Sequence, residues 1–456
     1  MLGKLADAGM NVARLNFSHG TQEEHAQRIK DIREIERSRG IPIAILQDLP
    51  GPKLRTGPMA QSISLTPSQG FTFTTRDFPG SSEEVNLPYP ELVRQARPGQ
   101  HIFVDDGQLD FLIESATETD IITKVAIGGP LGSHKGVNMP GTIISLPSVT
   151  EKDIEFLEFG LANDVDWVAA SFIRKAADLN PVCEVIERSG KHALLIAKIE
   201  KREAVEDIDA IIEAADGIMV ARGDLGVEIP LEEVPAVQKT IIRKCNDAGK
   251  PVITATQMLD SMIRNRRPTR AEVTDVANAI YDGTDAVMLS GETAIGLFPI
   301  EAVTMMSKIA CRTESSLDYR RIWQEKASIR AKTVTGAIAQ ATVDIALDLE
   351  ATAIITPTSS GATARAVSKY RPEAPIIGAA MSPGVYRQLV LSWGVCPLLV
   401  APSRNTDEMI NEAVQGALGA GLVKEGDLVV LTAGVPAGVP GRTNLIKVHV
   451  VGQAVS

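Results

Sequence analysis

Several short apolar runs in this chain end in polar residues spaced two apart, and positions i and i+2 of a β-strand share a face. Arg14, Asn16 and Ser18 end one run, Lys198 and Glu200 another, and Arg222 and Asp224 a third. Thr254 with Thr256, and Ser290 with Glu292, repeat the spacing, and Asp48 closes a further run. One inward-facing Lys or Arg is more often half of a structural ion pair, but repetition at the same end of five strands points to a site. Glu200 and Asp224 offer hard carboxylate oxygens, the donors that hold Mg²⁺ beside water and substrate phosphate. Lys198, Arg14 and Arg55 bring the positive charge that a transferring phosphoryl group needs. Arg222-Gly223-Asp224-Leu225-Gly226 reads as a glycine-permitted turn into a helix N-terminus, a cradle for an anion. This set suits phosphoryl transfer involving a small carboxylate substrate.

Such groups need a scaffold that gathers strand ends. Between residues 150 and 320 a short β-rich run is repeatedly followed by a helical stretch. The runs are Asp166–Phe172, Ala193–Ile199, Gly217–Arg222, Pro251–Thr256 and Ala286–Ser290, and Asn11–Phe17 and Ile43–Leu49 precede them. Near-continuous apolar strands alternating with helices predict a parallel sheet covered on both faces. Seven such units are one short of a (β/α)₈ barrel, whose sites lie at the C-terminal strand ends. The deficit falls at the N-terminus, where the chain opens in a helical pattern, LGKLADAG.

Residues 57–146 break the rhythm with Pro-Gly, Asp-Gly and Gly-Gly turns and runs such as FTFTT, which predicts a small all-β insertion. The α/β texture returns from about 330 to 456. Helices are expected over 333–348 and 361–370, with strands at 353–356 and near 375–379, 398–401, 428–432 and 445–451. The expected division is therefore a barrel from 1–56 and 147–325, an inserted domain from 57–146, and a C-terminal domain from 330–456.

The 456 residues carry 46 basic and 57 acidic side chains, a net charge of −11. Nucleic acid and anionic membranes are poor partners for such a surface, since both require a basic footprint. Aromatic residues make up only 4%, too few for a base-stacking platform. No run of about 18 apolar residues would span a bilayer, and the N-terminus lacks a signal peptide's apolar segment. Cys183, Cys245, Cys311 and Cys396 lie far apart without C-x-x-C spacing, so a reducing cytoplasm is expected.

The residues themselves go further. NVARLNFSHG (11–20), GPKLRTG (51–57), KGVNMPG (135–141), AKIE (197–200), MVARGDLGVEIP (219–230), TATQMLDSM (254–262) and DAVMLSGETAIG (285–296) together resemble the pyruvate kinase family. The resemblance runs in order across nearly the whole chain. It implies a (β/α)₈ TIM barrel, with its first strand apparently missing here, an inserted small β-barrel lid and a C-terminal α/β regulatory domain. It also implies transfer of the phosphoryl group of phosphoenolpyruvate to ADP, giving pyruvate and ATP in glycolysis, with Mg²⁺ or Mn²⁺ as cofactor. Carried over by motif, Lys198 stabilises the phosphoryl in flight, and Glu200 and Asp224 bind the divalent cation. Arg14 and Arg55 touch phosphate. The amides of Gly223 and Asp224 and the Thr256 hydroxyl hold the substrate carboxylate, and Thr256 and Ser290 lie near the route of enolate protonation. Asn16, His19, Arg55, Asp106 and Lys135 fall in nucleotide-binding motifs, although His19 also reads as a cap on the helix after it, and Asp106 and Lys135 as turn residues. The insertion corresponds to the family's mobile lid, and the family implies a homotetramer.

Three departures matter. Family members that need K⁺ carry DTKGPEIR, whereas this chain reads Asp48-Leu49-Pro50-Gly51-Pro52-Lys53-Leu54-Arg55. A Lys53 ammonium in the glutamate's place supplies positive charge and repels a neighbouring cation. K⁺ is therefore expected not to be required, although Asn16, Ser18, Asp48 and Leu49 stand at the positions of the monovalent site. The family's first strand, resembling KIVCTIGPAS, has no counterpart here, and a fragment or misplaced start is the expected reason. In the C-terminal domain, Thr358, Ser359, Ser360, Gly361 and Thr363 resemble an effector-phosphate loop, and a helix cap is the plainer reading of them. With Ser359 and Ala362 at positions that are basic in some members, a monophosphate effector such as AMP or a sugar phosphate fits better than a bisphosphate. Two other functions compete: a product that binds these ligands without turnover, and a metal-dependent aldolase, which leaves the lid and the phosphate arginines unexplained.

Overall fold

The computed structural model describes residues 1–142, 147–328, 331–403, 405–435 and 443–453. The boundaries expected at 146 and 330 lie outside these residues. Seven parallel strands run in sequence order across one sheet. They are β1 (Val12–Asn16), β2 (Ala44–Asp48), β3 (Trp167–Ile173), β4 (Leu194–Ile199), β5 (Gly217–Ala221), β6 (Val252–Ala255) and β7 (Ala286–Val287). Among the described residues, β1 and β7 are not paired with each other. All seven expected units are present, six within a residue or so of the expected bounds. The seventh stops three residues early, because the Ser290 amide turns back onto the Glu292 carboxylate at 2.7 Å and the chain enters a short helix, Gly291–Ala294.

β2, β3 and β5 are buried along their whole length. Their outer faces pack on the helices. Inside, Leu46, Ala169, Ile196, Met219 and Ile253 form one apolar cluster with Trp167. Asp48, Ser171 and Lys198 follow Leu46, Ala169 and Ile196 on the same inward stripes, so the apolar layer forms the floor of a polar mouth. Side-chain caps fix the helices that space these strands. Thr21 caps Gln22–Arg39, and Thr150 with Asp153 and Thr269 with Glu272 form capping boxes.

The inserted region forms a six-stranded sheet closed over Phe71, Phe73 and Phe111, with a two-stranded companion. It also carries a helix, Pro90–Gln95, which Pro90 starts and the all-β expectation did not include. Its two connections to the barrel run side by side, bonded from Thr56 N to Lys135 O at 2.9 Å and from Val137 N to Leu54 O at 2.9 Å.

The C-terminal sheet has the order β10-β9-β8-β11-β12, with β8 (Ala353–Thr358), β9 (Ile376–Ala380), β10 (Val395–Leu399), β11 (Leu428–Ala433) and β12 (Leu445–Val450). Only the β11–β12 pair is antiparallel. β10 lies earlier than the expected 398–401. Pro397 interrupts the sequence signal but is tolerated on an edge strand, which needs hydrogen bonds on one side only. Between β9 and β10 the chain reaches the barrel floor: Leu391 is buried in the barrel's inner apolar cluster, and Arg387 donates to Asp166 at 2.7 Å.

Candidate active site

Four charged side chains meet at the C-terminal ends of β1, β2 and β4. Arg14 Nε donates to Asp48 Oδ2 at 2.6 Å, and Lys198 Nζ lies 3.2 Å from Asp48 Oδ1 and 3.0 Å from Glu200 Oε1. Asp48 and Glu200 are each 1% exposed, so water does little to screen these pairs. Burial alone would depress the Lys198 pKa, but Asp48 and Glu200 outweigh it and push it well above the ordinary lysine range. Burial would likewise raise Asp48, yet Lys198 and Arg14 hold it below the usual carboxylate value. Ser171, which the sequence reading passed over, accepts from Lys198 Nζ at 2.8 Å and donates to Leu49 O at 2.7 Å. Its signal was present, since it lies two residues after Ala169 on the inward stripe of WVAASFI. Glu200 Oε2 accepts the Phe172 amide at 2.6 Å, an amide presented by a left-handed Phe172 with φ 54°.

Arg222 and Asp224 do not form the strand-end pair that their spacing suggests. β5 ends at Ala221 and both lie on a helix, Arg222–Glu228. Arg222 turns away to a two-pronged pair with Asp275, 2.7 Å on each prong, and donates to the carbonyls of Ala255 and Thr256. That grip holds Thr256 at φ 76°, a conformation a β-branched residue rarely adopts. Its methyl packs so close to Gly223 that a Cβ there would lie 2.7 Å from it, so the glycine is required by contact. Asp224 approaches Glu200 closely enough that, after burial, it is the next cause raising the Glu200 pKa. Two hard carboxylates held together against their own repulsion suit a divalent cation.

Thr254 is fully buried and bonds Thr284 at 3.0 Å, so it lines no mouth. Ser290 and Glu292 lie beyond β7, and Glu292 is occupied by the amides of Leu259 and Ser290.

Three of the four candidates for a monovalent site are already engaged. Asn16 Oδ1 accepts the Ser18 amide at 3.1 Å, Asp48 is held by Arg14 and Lys198, and the Leu49 carbonyl by Ser171. Lys53 does not stand in that group. The chain turns at Gly51 (φ 66°) and carries the Lys53 ammonium to Asp224 Oδ1 and Asp106 Oδ1, each at 3.2 Å. Burial would lower the Lys53 pKa, but those two carboxylates raise it.

The remaining candidates spread along the lid and nearby turns. Arg55 donates to His134 O at 3.0 Å and borders a cleft of about 510 Å³ with Asn86 and Tyr89. Lys135 pairs with Asp105 at 2.9 Å. His19 does not cap the following helix, a role Thr21 takes; its carbonyl meets His25 Nε2 at 2.9 Å. In the C-terminal loop, Thr358 Oγ1 accepts the Gly361 amide at 2.9 Å, Ser360 O accepts from Arg365, and Thr363 is buried against Thr443. Ser359 is exposed there. Among the described residues, no side chain caps the helix that follows, Ala362–Ser368.

A family model described as pyruvate kinase, barrel domain, matches residues 1–303, and one described as pyruvate kinase, alpha/beta domain, matches residues 336–449. The chain belongs to the pyruvate kinase family. It is 51% identical over 454 residues to a pyruvate kinase of Geobacillus stearothermophilus, an alignment covering 99% of this chain and 77% of the relative. It is 49% identical to one from Clostridium acetobutylicum, covering 97% and 94%, and 48% identical to one from Bacillus licheniformis, covering 100% and 78%. Membership makes this chain a phosphotransferase of glycolysis and accounts for a barrel joined to a separate α/β domain. Among the described residues, no helix is long and apolar enough to cross a membrane.

Proposed function

We propose that this pyruvate kinase moves the phosphoryl group of phosphoenolpyruvate to ADP at the mouth formed by Lys198, Asp48, Glu200 and Asp224. The observation that carries this reading is the buried Lys198 ammonium, fixed from three sides by Asp48, Glu200 and Ser171. In the reaction the bond from phosphorus to the enol oxygen breaks, and a bond forms to a terminal β-phosphate oxygen of ADP. The enolate then takes a proton at its terminal carbon. Negative charge spreads over the phosphoryl oxygens in transit, and a cation that needs no reorientation stabilises that charge most. Lys198 is such a cation, because its position is set before substrate arrives.

Arg14 faces the same charge from β1. The amides of Gly223 and Asp224 and the Thr256 hydroxyl receive the substrate carboxylate, with the strained Thr256 held by Arg222. Glu200 and Asp224 hold Mg²⁺ or Mn²⁺, which when bound supplies further neutralisation of phosphate charge. Residues 57–146 serve as a lid that excludes water, bringing Asp106, Lys135 and Arg55 toward the nucleotide, with Asn16 and His19 on the barrel side. The Thr358–Thr363 loop takes a phosphorylated effector, the enzyme works as a cytoplasmic homotetramer, and Thr256 and Ser290 border the proton's route.

On this reading turnover does not require K⁺, because Lys53 adds an ammonium to the same mouth, beside Asp224 rather than among Asn16, Ser18, Asp48 and Leu49. Pyruvate formation from phosphoenolpyruvate, ADP and Mg²⁺ in potassium-free buffer tests this. Full turnover that added K⁺ leaves unchanged supports it, and turnover that appears only with K⁺ removes the role given to Lys53.

A further inference from the structure

The helix Arg222–Glu228 is held at both ends by the lid and its connections. At its C-terminal end, Glu228 is 8% exposed and accepts from Asn138 Nδ2 at 2.7 Å and from Lys201 at 2.5 Å. Asn138 lies on the last strand of the lid sheet, Val137–Asn138, where the chain leaves the lid. At the other end, Asp224 pairs with Lys53 on the connection that enters it. The same ammonium reaches Asp106, in a lid turn whose Asp105, Asp106 and Gly107 have φ of 57°, 54° and 83°. Gly107 overlies Val227 of that helix. The lid tip is thus tied to the helix through the carboxylate that the reading above assigns to the divalent cation.

We propose that Lys53 is the resident counter-cation of Asp224, which the divalent metal displaces, so that metal binding and docking of the lid tip are coupled. The inference rests on the assignment of Asp224 as a metal ligand. Two cations cannot share that carboxylate oxygen without strong repulsion. As metal arrives, Lys53 keeps only Asp106, and the tip is freed while the hinge stays anchored at Glu228. Coupling of this kind is reciprocal: whatever loosens the tip must tighten metal.

The test uses Mn²⁺ alone, without substrate or nucleotide, followed by electron paramagnetic resonance and by hydrogen exchange of residues 104–108. Lys53→Met keeps the aliphatic stem and removes the competing charge. It should tighten Mn²⁺ roughly two- to fivefold, the scale of a partly exposed ion pair, and speed exchange of 104–108 in metal-free protein. In the wild type, Mn²⁺ should itself speed that exchange; in Lys53→Met it should have no further effect. Lys135→Met removes a lid cation that touches Asp105 and not Asp224, and should leave Mn²⁺ affinity within about twofold. Unchanged affinity in Lys53→Met, or an equal gain in Lys135→Met, overturns the proposal. Asp224→Asn separates the two levels: if it binds Mn²⁺ as well as the wild type, the metal assignment itself fails and takes the inference with it.

Discussion

One carboxylate of Asp48 holds two cations, Arg14 on Oδ2 at 2.6 Å and Lys198 on Oδ1 at 3.2 Å. Asp48 is thereby the shared anchor of the two cations proposed to face the phosphoryl. Replacing it with the isosteric amide removes the charge and keeps the shape. In Asp48→Asn, kcat should fall about a hundredfold as both cations lose their fixed positions. Chemical unfolding should show a loss of about 3–5 kcal/mol, the cost of leaving buried charge unpaired. A variant with normal turnover would show that Asp48 anchors neither cation.

Ser171 tests positioning on a finer scale. Its hydroxyl bridges Lys198 and the Leu49 carbonyl. Ser171→Ala should lower kcat roughly tenfold, in keeping with a hydrogen bond to a charged group. KM should stay within twofold, and Ser171→Thr should restore most of the rate. Equal loss in kcat/KM and stability, without rescue, would make the hydroxyl merely structural.

The scaffold was largely legible because its strands are buried on both faces and read as continuous apolar runs. Lys198, Glu200 and Asp48 stood out as charges ending such runs. Reasoning by alternation failed where the chain leaves the strand. Arg222 and Asp224 lie on a helix, and Ser290 and Glu292 lie past the end of β7, so the i, i+2 rule no longer applies to them. Ser171 was missed because a small neutral residue inside an apolar run carries little signal alone. The Lys53 contacts depend on how the lid folds back over the barrel, a long-range relationship that local spacing does not encode.

Leu391 is 2% exposed and fills the floor of the barrel from the C-terminal domain. Leu391→Ala should cost about 2–5 kcal/mol, the range for an apolar cavity in a packed core. Thermal unfolding should also separate into two transitions as the domains lose their shared cluster. A single transition at the wild-type temperature would show that the floor does not need this side chain.

Lys326 lies in the helix Tyr319–Ala327 between barrel and C-terminal domain. Burial, with Arg371 and Lys369 also opposing its charge, lowers its pKa to about 8. Below that value the ammonium is charged in both states and the folded protein bears the full penalty. As pH rises from about 8 toward the unfolded lysine value, the unfolded chain holds more protons and the penalty disappears. Lys326→Met should therefore stabilise the protein at pH 7 by up to roughly 3 kcal/mol, since the fall from 10.5 to about 8 is worth about 1.4 kcal/mol per pKa unit. That advantage should vanish near pH 10.5. An advantage independent of pH would assign it to packing alone.

The role of Lys198 is tested most directly by comparing wild type and Lys198→Met in pyruvate formation, with phosphoenolpyruvate binding measured in parallel by equilibrium dialysis. A cation that acts mainly on the phosphoryl in transit predicts a kcat about a thousandfold lower, with the dissociation constant changed less than tenfold. A kcat within tenfold of wild type, or a loss of binding that accounts for the whole loss of rate, would contradict it.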